Sequence, residues 1–345
     1  MWASAKASLA LCEGGTDQRD LAIARFYKGS AFFRLEDYES ALPLLEQSLT
    51  EFRELKDLYW EAVTHGQLSV ILVAKGEKSQ GETIVQDLEL ARKAGERLNL
   101  AEVLKWQSFW AWTNNQIDKA EAYVKEAQTL YDQIGHTASS GSLVQGLIAH
   151  IRNDYQQARI MYTKSKEQFE LHGEKYRKSY ALQDLGALAR DEGDFQLAKS
   201  YVEEALKIVN EVGVRTRIGY QLALLGQIEY LQGNLEGSKR KFNESLCIVK
   251  EIDDLYSKSD SLLIFSNAYA ILQPPIAVRI LGAVQAYYRN IKDPIHPLRK
   301  RDSDSAIAQA RQHLDESAFN AAWAEGEKMS LDEALDLALK TLEEM

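Results

Sequence analysis

Residues 185–209, LGALARDEGDFQLAKSYVEEALKIV, align without a gap on residues 225–249, LGQIEYLQGNLEGSKRKFNESLCIV. The two stretches begin 40 residues apart. A fixed period of about 20 to 50 residues is typical of repeat architectures, in which each repeat is one supersecondary unit. The same register extends over most of the chain and predicts a repeat protein.

Six copies share one frame: a small residue, a turn residue seven positions later, and a second small residue five positions after that. The small pairs are Gly29 and Ala41, Ser69 and Gly81, Ser108 and Ala120, Gly146 and Ala158, Gly186 and Ala198, and Gly226 and Ser238. The turn positions are Glu36, Gly76, Asn115, Asn153, Gly193 and Gly233. Gly and Asn tolerate the left-handed conformation that ends a helix. The frame therefore predicts pairs of antiparallel helices that cross closely at the small residues.

An apolar face follows on the second helix of each predicted hairpin, four residues past the second small position. Its members are Leu45, Val85, Val124, Tyr162, Val202 and Phe242. Residues four apart lie on the same face of a helix, so these positions indicate the buried side.

The predicted domain organisation follows from this register. Residues 16–290 form six to seven hairpins, the last with Phe265 and Ala277 at the small positions and Pro274 and Pro275 at the turn. Residues 1–15 form the second helix of a partial repeat, and residues 291–345 form a linker and an acidic helical cap. Because a solenoid hairpin cannot bury its face alone, the orphan first helix predicts that the chain was cut from a longer one.

The frame resembles the tetratricopeptide repeat, whose usual period is about 34 residues. The resemblance covers roughly residues 20–290, and longer helices would account for the longer period. It implies an all-α, right-handed superhelical solenoid. The lengthened variety is typical of bacterial regulators of the maltose-operon activator kind.

The tail contains the stretches AVRILGAVQAYY, from Ala277, and DESAFNAAWAEGEKMSLDEALDLAL, from Asp315. These stretches resemble the C-terminal end of large bacterial STAND or AAA-type signalling ATPases, some of which carry LuxR-type domains. Ser330 precedes Glu333 at the spacing of a capping box, which predicts a helix start. A further helix is predicted from Ser303 to Leu314. Arg299, Lys300 and Arg301, flanked by acids, are interpreted as a solvated loop.

The composition argues against several classes of protein. The net charge of −10 argues against a nucleic-acid-binding body, which needs a basic face. The two cysteines, Cys12 and Cys247, form no disulfide framework, and no signal peptide or apolar run of about 18 residues occurs. We therefore expect a cytoplasmic protein without direct contact to nucleic acid or membrane.

No catalytic or metal motif is present in the sequence. The six His residues never lie four apart, and no phosphate-binding loop of the form G-x-x-x-x-G-K-[ST] occurs. The acids of the tail have no partner that would make them a catalytic pair. We predict that the chain is not an enzyme and has neither a cofactor nor a metal; any ATPase domain would lie upstream.

The predicted binding surface is the concave groove formed by the first helix of each hairpin. Its candidate ligand residues are Phe33, Lys105, Phe109, Trp112, His150, Gln183, Arg190, Tyr220, Gln227 and Tyr230. The aromatic residues between Trp106 and Trp112 go nearly round one helix, so they either face the groove or pack between repeats. We expect a protein, peptide or small-effector scaffold, as the sensor region of a signalling ATPase or regulator; the alternative is a free-standing adaptor.

Overall fold

The computed structural model describes residues 17–34, 37–74, 81–135, 139–252, 254–291 and 294–345. These residues form seventeen α-helices and no strand, which confirms the all-α class. The helices are α1 (Gln18–Arg34), α2 (Tyr38–Glu54), α3 (Leu58–Ala74), α4 (Gly81–Ala94), α5 (Arg97–Thr113), α6 (Ile117–Gln133), α7 (Ser139–Ile151), α8 (Tyr155–Leu171), α9 (Lys175–Asp191), α10 (Phe195–Val212), α11 (Arg215–Leu231), α12 (Leu235–Lys250), α13 (Leu255–Tyr269), α14 (Pro274–Ile291), α15 (Pro297–His313), α16 (Glu316–Gly326) and α17 (Leu331–Glu344). The predicted helix in residues 1–15 and the turns at Glu36 and Gly76 lie outside the described residues.

The predicted small residues lie where paired helices approach each other. A Cβ atom added to Gly146, Gly186 or Gly226 would lie between 2.5 and 2.8 Å from a side-chain carbon of Tyr162, Val202 or Phe242, respectively. The partner of each glycine is therefore the apolar residue four positions past the second small residue. Because interiors are close-packed, the glycine provides the space that this larger side chain fills.

The turns have the predicted left-handed backbone. Asn115, Asn153, Gly193 and Gly233 have φ angles of 58, 61, 82 and 79°. Sequence reasoning missed a second series of left-handed residues between successive hairpins, which comprises Lys56, Gly95, Gly135, Gly173 and Gly213. The three described repeats that end at Gly135, Gly173 and Gly213 thus contain two left-handed turns each.

Helix length explains the 40-residue period. α9 contains 17 residues and α10 contains 18, and only short connections separate them from each other and from α11. The start of α10 is fixed by Asp194, whose carboxylate accepts a hydrogen bond from the Leu197 amide at 3.0 Å. Asn234 caps α12 in the same way. Such caps stabilise a helix start by about 1 kcal/mol.

Contacts divide the chain into two compact units. Unit 1 comprises Met1–Trp110 and Asp118–Gly141, and unit 2 comprises Ala111–Ile117 and Ser142–Met345. Within unit 1, one cluster of buried apolar residues includes Phe26, Leu45 and Phe52. Unit 2 has a larger core, which runs from Ala189 on α9 to Leu342 on α17.

The C-terminal helices complete the core of unit 2. Leu331, Leu335 and Leu342 of α17 are buried in that core. The predicted capping box of α17 is confirmed, since Ser330 and Glu333 exchange hydrogen bonds. The carboxylate of Asp332 lies 2.6 Å from the amine of Lys258 on α13, so this acid of the tail forms an ion pair with another helix.

The path of the linker differs from the prediction. α15 begins at Pro297, six residues earlier than expected. Arg299 lies in its first turn with only 10% of its side chain exposed, so the interpretation of this basic run as a solvated loop is wrong. The reason is a set of buried acidic and aromatic partners on distant helices. Among the described residues, no helix is long and apolar enough to cross a membrane.

Candidate functional site

Three candidate ligand residues lie in unit 1. Phe33, at the end of α1, packs edge-on against the ring of Trp106 with a centroid distance of 6.2 Å. Lys105 is only 6% exposed and pairs with Glu102 on its own helix. Phe109 is 39% exposed. Of these three residues, Phe109 is the most exposed to solvent.

Two of the candidates in unit 2 are completely buried. Trp112 has no exposed surface, and its ring lies perpendicular to that of His296 at 3.9 Å. His150 is likewise fully buried. Burial lowers the pKa of His296 to about 3, so this ring stays neutral at physiological pH. The positions of Trp112 and His150 favour a packing role for both side chains.

Three of the candidates, His150, Arg190 and Gln227, belong to one hydrogen-bonded cluster, which we term the inner polar network. It comprises His150 of α7, Arg190 and Asp191 of α9, Gln227 of α11, and Arg301 and Asp302 of α15. Arg190 donates to Gln227 at 2.7 Å and to Asp302 at 3.1 Å. The network therefore joins the first helices of three hairpins to the start of α15.

Asp191 is the anion at the centre of this network. Its carboxylate interacts with Arg190 at 2.6 Å and with Arg301. Burial acts to raise the pKa of Asp191, but the hydrogen bond from His150 and the charges of Arg190 and Arg301 outweigh it and hold the pKa well below its usual range. An ionised carboxylate only accepts hydrogen bonds, so His150 Nε2, at 2.9 Å, carries the proton.

Beside the network, two arginines pack on tyrosine rings. The guanidinium of Arg217 lies 4.3 Å from the ring centroid of Tyr180 and 5.0 Å from that of Tyr220. The guanidinium of Arg299 lies 5.0 Å from the same Tyr220 ring. Cations held over aromatic faces in this way are attracted by the ring quadrupole. We term Tyr180, Arg217, Tyr220 and Arg299 the arginine–tyrosine stack.

The predicted residue Gln183 connects α9 and α11 at the edge of this stack. Its carbonyl oxygen accepts hydrogen bonds from Arg217 at 2.5 Å and from Gln221 at 2.9 Å. Tyr230 lies farther along α11, with its ring centroid 5.8 Å from that of Tyr269. The structure thus brings Gln183, Arg190, Tyr220 and Gln227 onto one side of α9 and α11. We call this side of the two helices, together with α13, the first-helix face.

Two carboxylates that the sequence did not single out lie near the same arginines. Desolvation raises the pKa of Asp184 to about 7 against the opposing charges of Arg217 and Arg299. Asp260 is 33% exposed but has protein on most sides, and desolvation raises its pKa to about 7 as well. The nearest contact between Asp260 and Arg299 spans 3.9 Å. This carboxylate is therefore only loosely compensated.

We expect the Asp260→Asn variant to gain thermal stability relative to wild type as the pH rises from 5 to 8. The folded-state pKa of Asp260 lies above its unfolded value, so the ionised carboxylate opposes folding increasingly up to about pH 7. Asparagine removes this cost, which begins above the unfolded-state pKa of 3.8, grows through pH 5 and is largest above about pH 7. The measurement is the difference in Tm between variant and wild type at each pH.

The matched control is Asp304→Asn, which alters an exposed carboxylate that pairs only with Lys300, one turn away at 2.8 Å. Its Tm difference should stay nearly constant over the same range. A pH-independent difference for Asp260→Asn would contradict the assignment of a raised pKa.

Sequence reasoning missed the residues that α15 adds to this site. Arg299, Arg301 and Asp302 were visible only as a charge run, which resembles a surface loop. One signal was available: Pro297 is a favoured first residue of a helix, so the run could have been placed in a first turn.

Comparison with known proteins supports the repeat assignment. Residues 142–211 match the family model of the tetratricopeptide repeat. A search among curated protein sequences finds no match. The matched residues contain α8, α9 and most of α7 and α10.

Solved structures extend this likeness to nearly the whole chain. A Rap protein complexed with Competence and Sporulation Factor matches with a TM-score of 0.61 and 11% identity, over 94% of this chain and 99% of that chain. A signal transduction ATPase with numerous domains and a tetratricopeptide repeat sensor, from Pyrococcus horikoshii, matches with a TM-score of 0.57 and 14% identity, over 94% of this chain but 50% of that one. Residues 142–211 thus match the tetratricopeptide repeat model, and the chain has the fold of a tetratricopeptide-like helical solenoid.

Proposed function

We propose that the chain is a recognition scaffold whose first-helix face binds a protein or peptide partner. One observation carries this proposal. Tyr180, Gln183 and Arg217 are only partly buried, although they lie on helices whose other sides supply the core. A face that served packing alone would be apolar, whereas partly open aromatic and arginine side chains are enriched where proteins bind partners.

We further propose that this scaffold is the sensor region of a larger bacterial signal-transduction ATPase or transcriptional regulator in the cytoplasm. The likeness to half of the Pyrococcus horikoshii ATPase with its tetratricopeptide repeat sensor supports this context. In that arrangement, partner binding on the helical repeats would bias a switch elsewhere in the polypeptide.

The alternative is a free-standing adaptor with the same binding face. The Rap protein, which this chain covers over 99% of its length, supports this alternative. An immunoblot of lysate from the source cells distinguishes the two. A band far above 39.0 kDa is expected for the regulator, and a band at that mass for the adaptor.

Photo-cross-linking tests the binding face directly. A benzophenone amino acid at Gln183, on α9, is expected to capture a defined partner in the cells that express the protein, because this position lies on the first-helix face. The matched control places the same group at Lys207, which is exposed on the second helix of the same hairpin. Adducts identified by mass spectrometry should form from position 183 and be missing from position 207. The same adducts from both positions, or none from position 183, would overturn the proposal.

A further inference from the structure

The first turn of α15 lies against the first-helix face. Arg299 is over the Tyr220 ring, Arg301 pairs with Asp191, and Asp302 accepts from Arg190 at 3.1 Å. Leu298 is also buried, with 8% of its surface exposed. A short segment of the chain thus covers part of the surface for which we propose partner binding.

The contacts of this segment define what the face recognises. Asp191 pairs with an arginine, Arg190 pairs with a carboxylate, and the Tyr220 ring packs against a second arginine. Lys300 does not contribute, since it is exposed and pairs only with Asp304 on its own helix. The recognised pattern is therefore an arginine, any residue, a second arginine and an acid, presented on a helical turn.

The energetics of these contacts allow exchange with an external segment. Replacing one set of buried ion pairs by an equivalent set leaves the same charges compensated, whereas removing one partner leaves a buried charge unpaired. The carboxylate of Asp260, 3.9 Å from Arg299, would lie beside the partner arginine that takes the place of Arg299. A partner with the same pattern would pair with the same charged groups on α9 that Arg301 and Asp302 pair with now.

We propose that residues 297–302 are an internal occupant of the first-helix face, and that the partner docks there with a segment of the same chemistry, an Arg-x-Arg-Asp turn, in their place. The inference rests on the proposed function and names the chemistry of the partner. It also makes the release of α15 the step that couples partner binding to the C-terminal helices.

The test uses the full chain and a fluorescent synthetic peptide with the sequence of residues 294–304, PIHPLRKRDSD. Fluorescence anisotropy measures its Kd for wild type and for the Arg299→Ala/Arg301→Ala variant. If the internal segment is docked more than nine-tenths of the time, releasing it should tighten peptide binding by at least about tenfold. The Lys300→Ala variant is the matched control and should bind as wild type does.

A measurement on wild type covers the case in which the double variant does not fold. Hydrogen exchange at residues 295–303 should speed up when the peptide is added in excess, because the peptide displaces α15. A second peptide with both arginines replaced by glutamine should have no effect. Unchanged exchange with the native peptide, or a folded double variant that binds it no better than wild type does, overturns the inference.

The two experiments separate the inference from the proposed function. Cross-links from position 183 without peptide binding would retain the binding face but refute an arginine-bearing partner. Peptide binding without cross-links would show that the face accepts the segment but would refute partner recognition in the cell.

Discussion

The Gly326→Ala variant is expected to destabilise the C-terminal cap by more than about 3 kcal/mol, which is beyond the usual cost of overpacking a core. An added Cβ atom would lie 2.0 Å from the carbonyl oxygen and 2.8 Å from the carbonyl carbon of Arg279. These are backbone atoms of α14, so no rotamer change can relieve the overlap, and α14 and α16 must separate. Gly282 marks the same crossing, since its Cβ would lie 2.8 Å from the Trp323 carbonyl oxygen.

Urea unfolding and hydrogen exchange measure this effect. Amides of α16 and α17 should exchange faster in the variant, and the unfolding midpoint of unit 2 should fall. Gly66→Ala is the matched control, because it makes the same change on helix α3 where an added Cβ would meet no atom within 4 Å. This control should be neutral or stabilise by up to about 1 kcal/mol through helix propensity. Unchanged exchange in Gly326→Ala would contradict the close backbone approach.

The Asp191→Ala variant is expected to lose about 3 to 5 kcal/mol, the usual cost of removing one partner from a buried ion pair. It leaves the guanidinium of Arg190, which is 8% exposed, without its nearest anion and removes the carboxylate that accepts from Nε2 of the buried His150. Arg301 loses the same carboxylate. Denaturant unfolding at neutral pH measures the loss of stability.

The neighbouring Glu192→Ala variant provides the comparison. Glu192 pairs with Arg159 on the surface, where both side chains are partly exposed, so its loss should cost less than about 1 kcal/mol. A double-mutant cycle between Asp191→Ala and Arg301→Ala should give a coupling energy above about 0.5 kcal/mol, as residues in one network do. Additive effects of the two changes would mean that α15 is not held by this carboxylate.

The hairpin repeat could be predicted from the sequence because its determinants are local. One hairpin contains the glycine at 186, the turn residue at 193 and the apolar residue at 202. The next hairpin contains their equivalents at 226, 233 and 242. Each has a single-residue requirement, either a small side chain or a left-handed backbone, that the sequence displays directly. The second series of left-handed turns had the same period and was equally visible in Gly173 and Gly213.

The candidate site was only partly predictable. Gln183, Arg190, Tyr220 and Gln227 were found because the repeat register places them on first helices. The same register could not separate side chains that pack, such as Trp112, from those that remain partly open, such as Gln183. That distinction depends on which neighbouring helix covers each side chain, and periodicity within one helix carries no information about its neighbour.

The sequence by itself determined that the chain folds as helical hairpins with a period near 40 residues and ends in a helix with a capping box. Only the tertiary structure decided where the run from Arg299 to Asp302 lies. Its partners Arg190 and Asp191 precede it by more than 100 residues along the chain. Contacts over that separation arise from the stacking of whole repeats, which places side chains together that no local pattern relates.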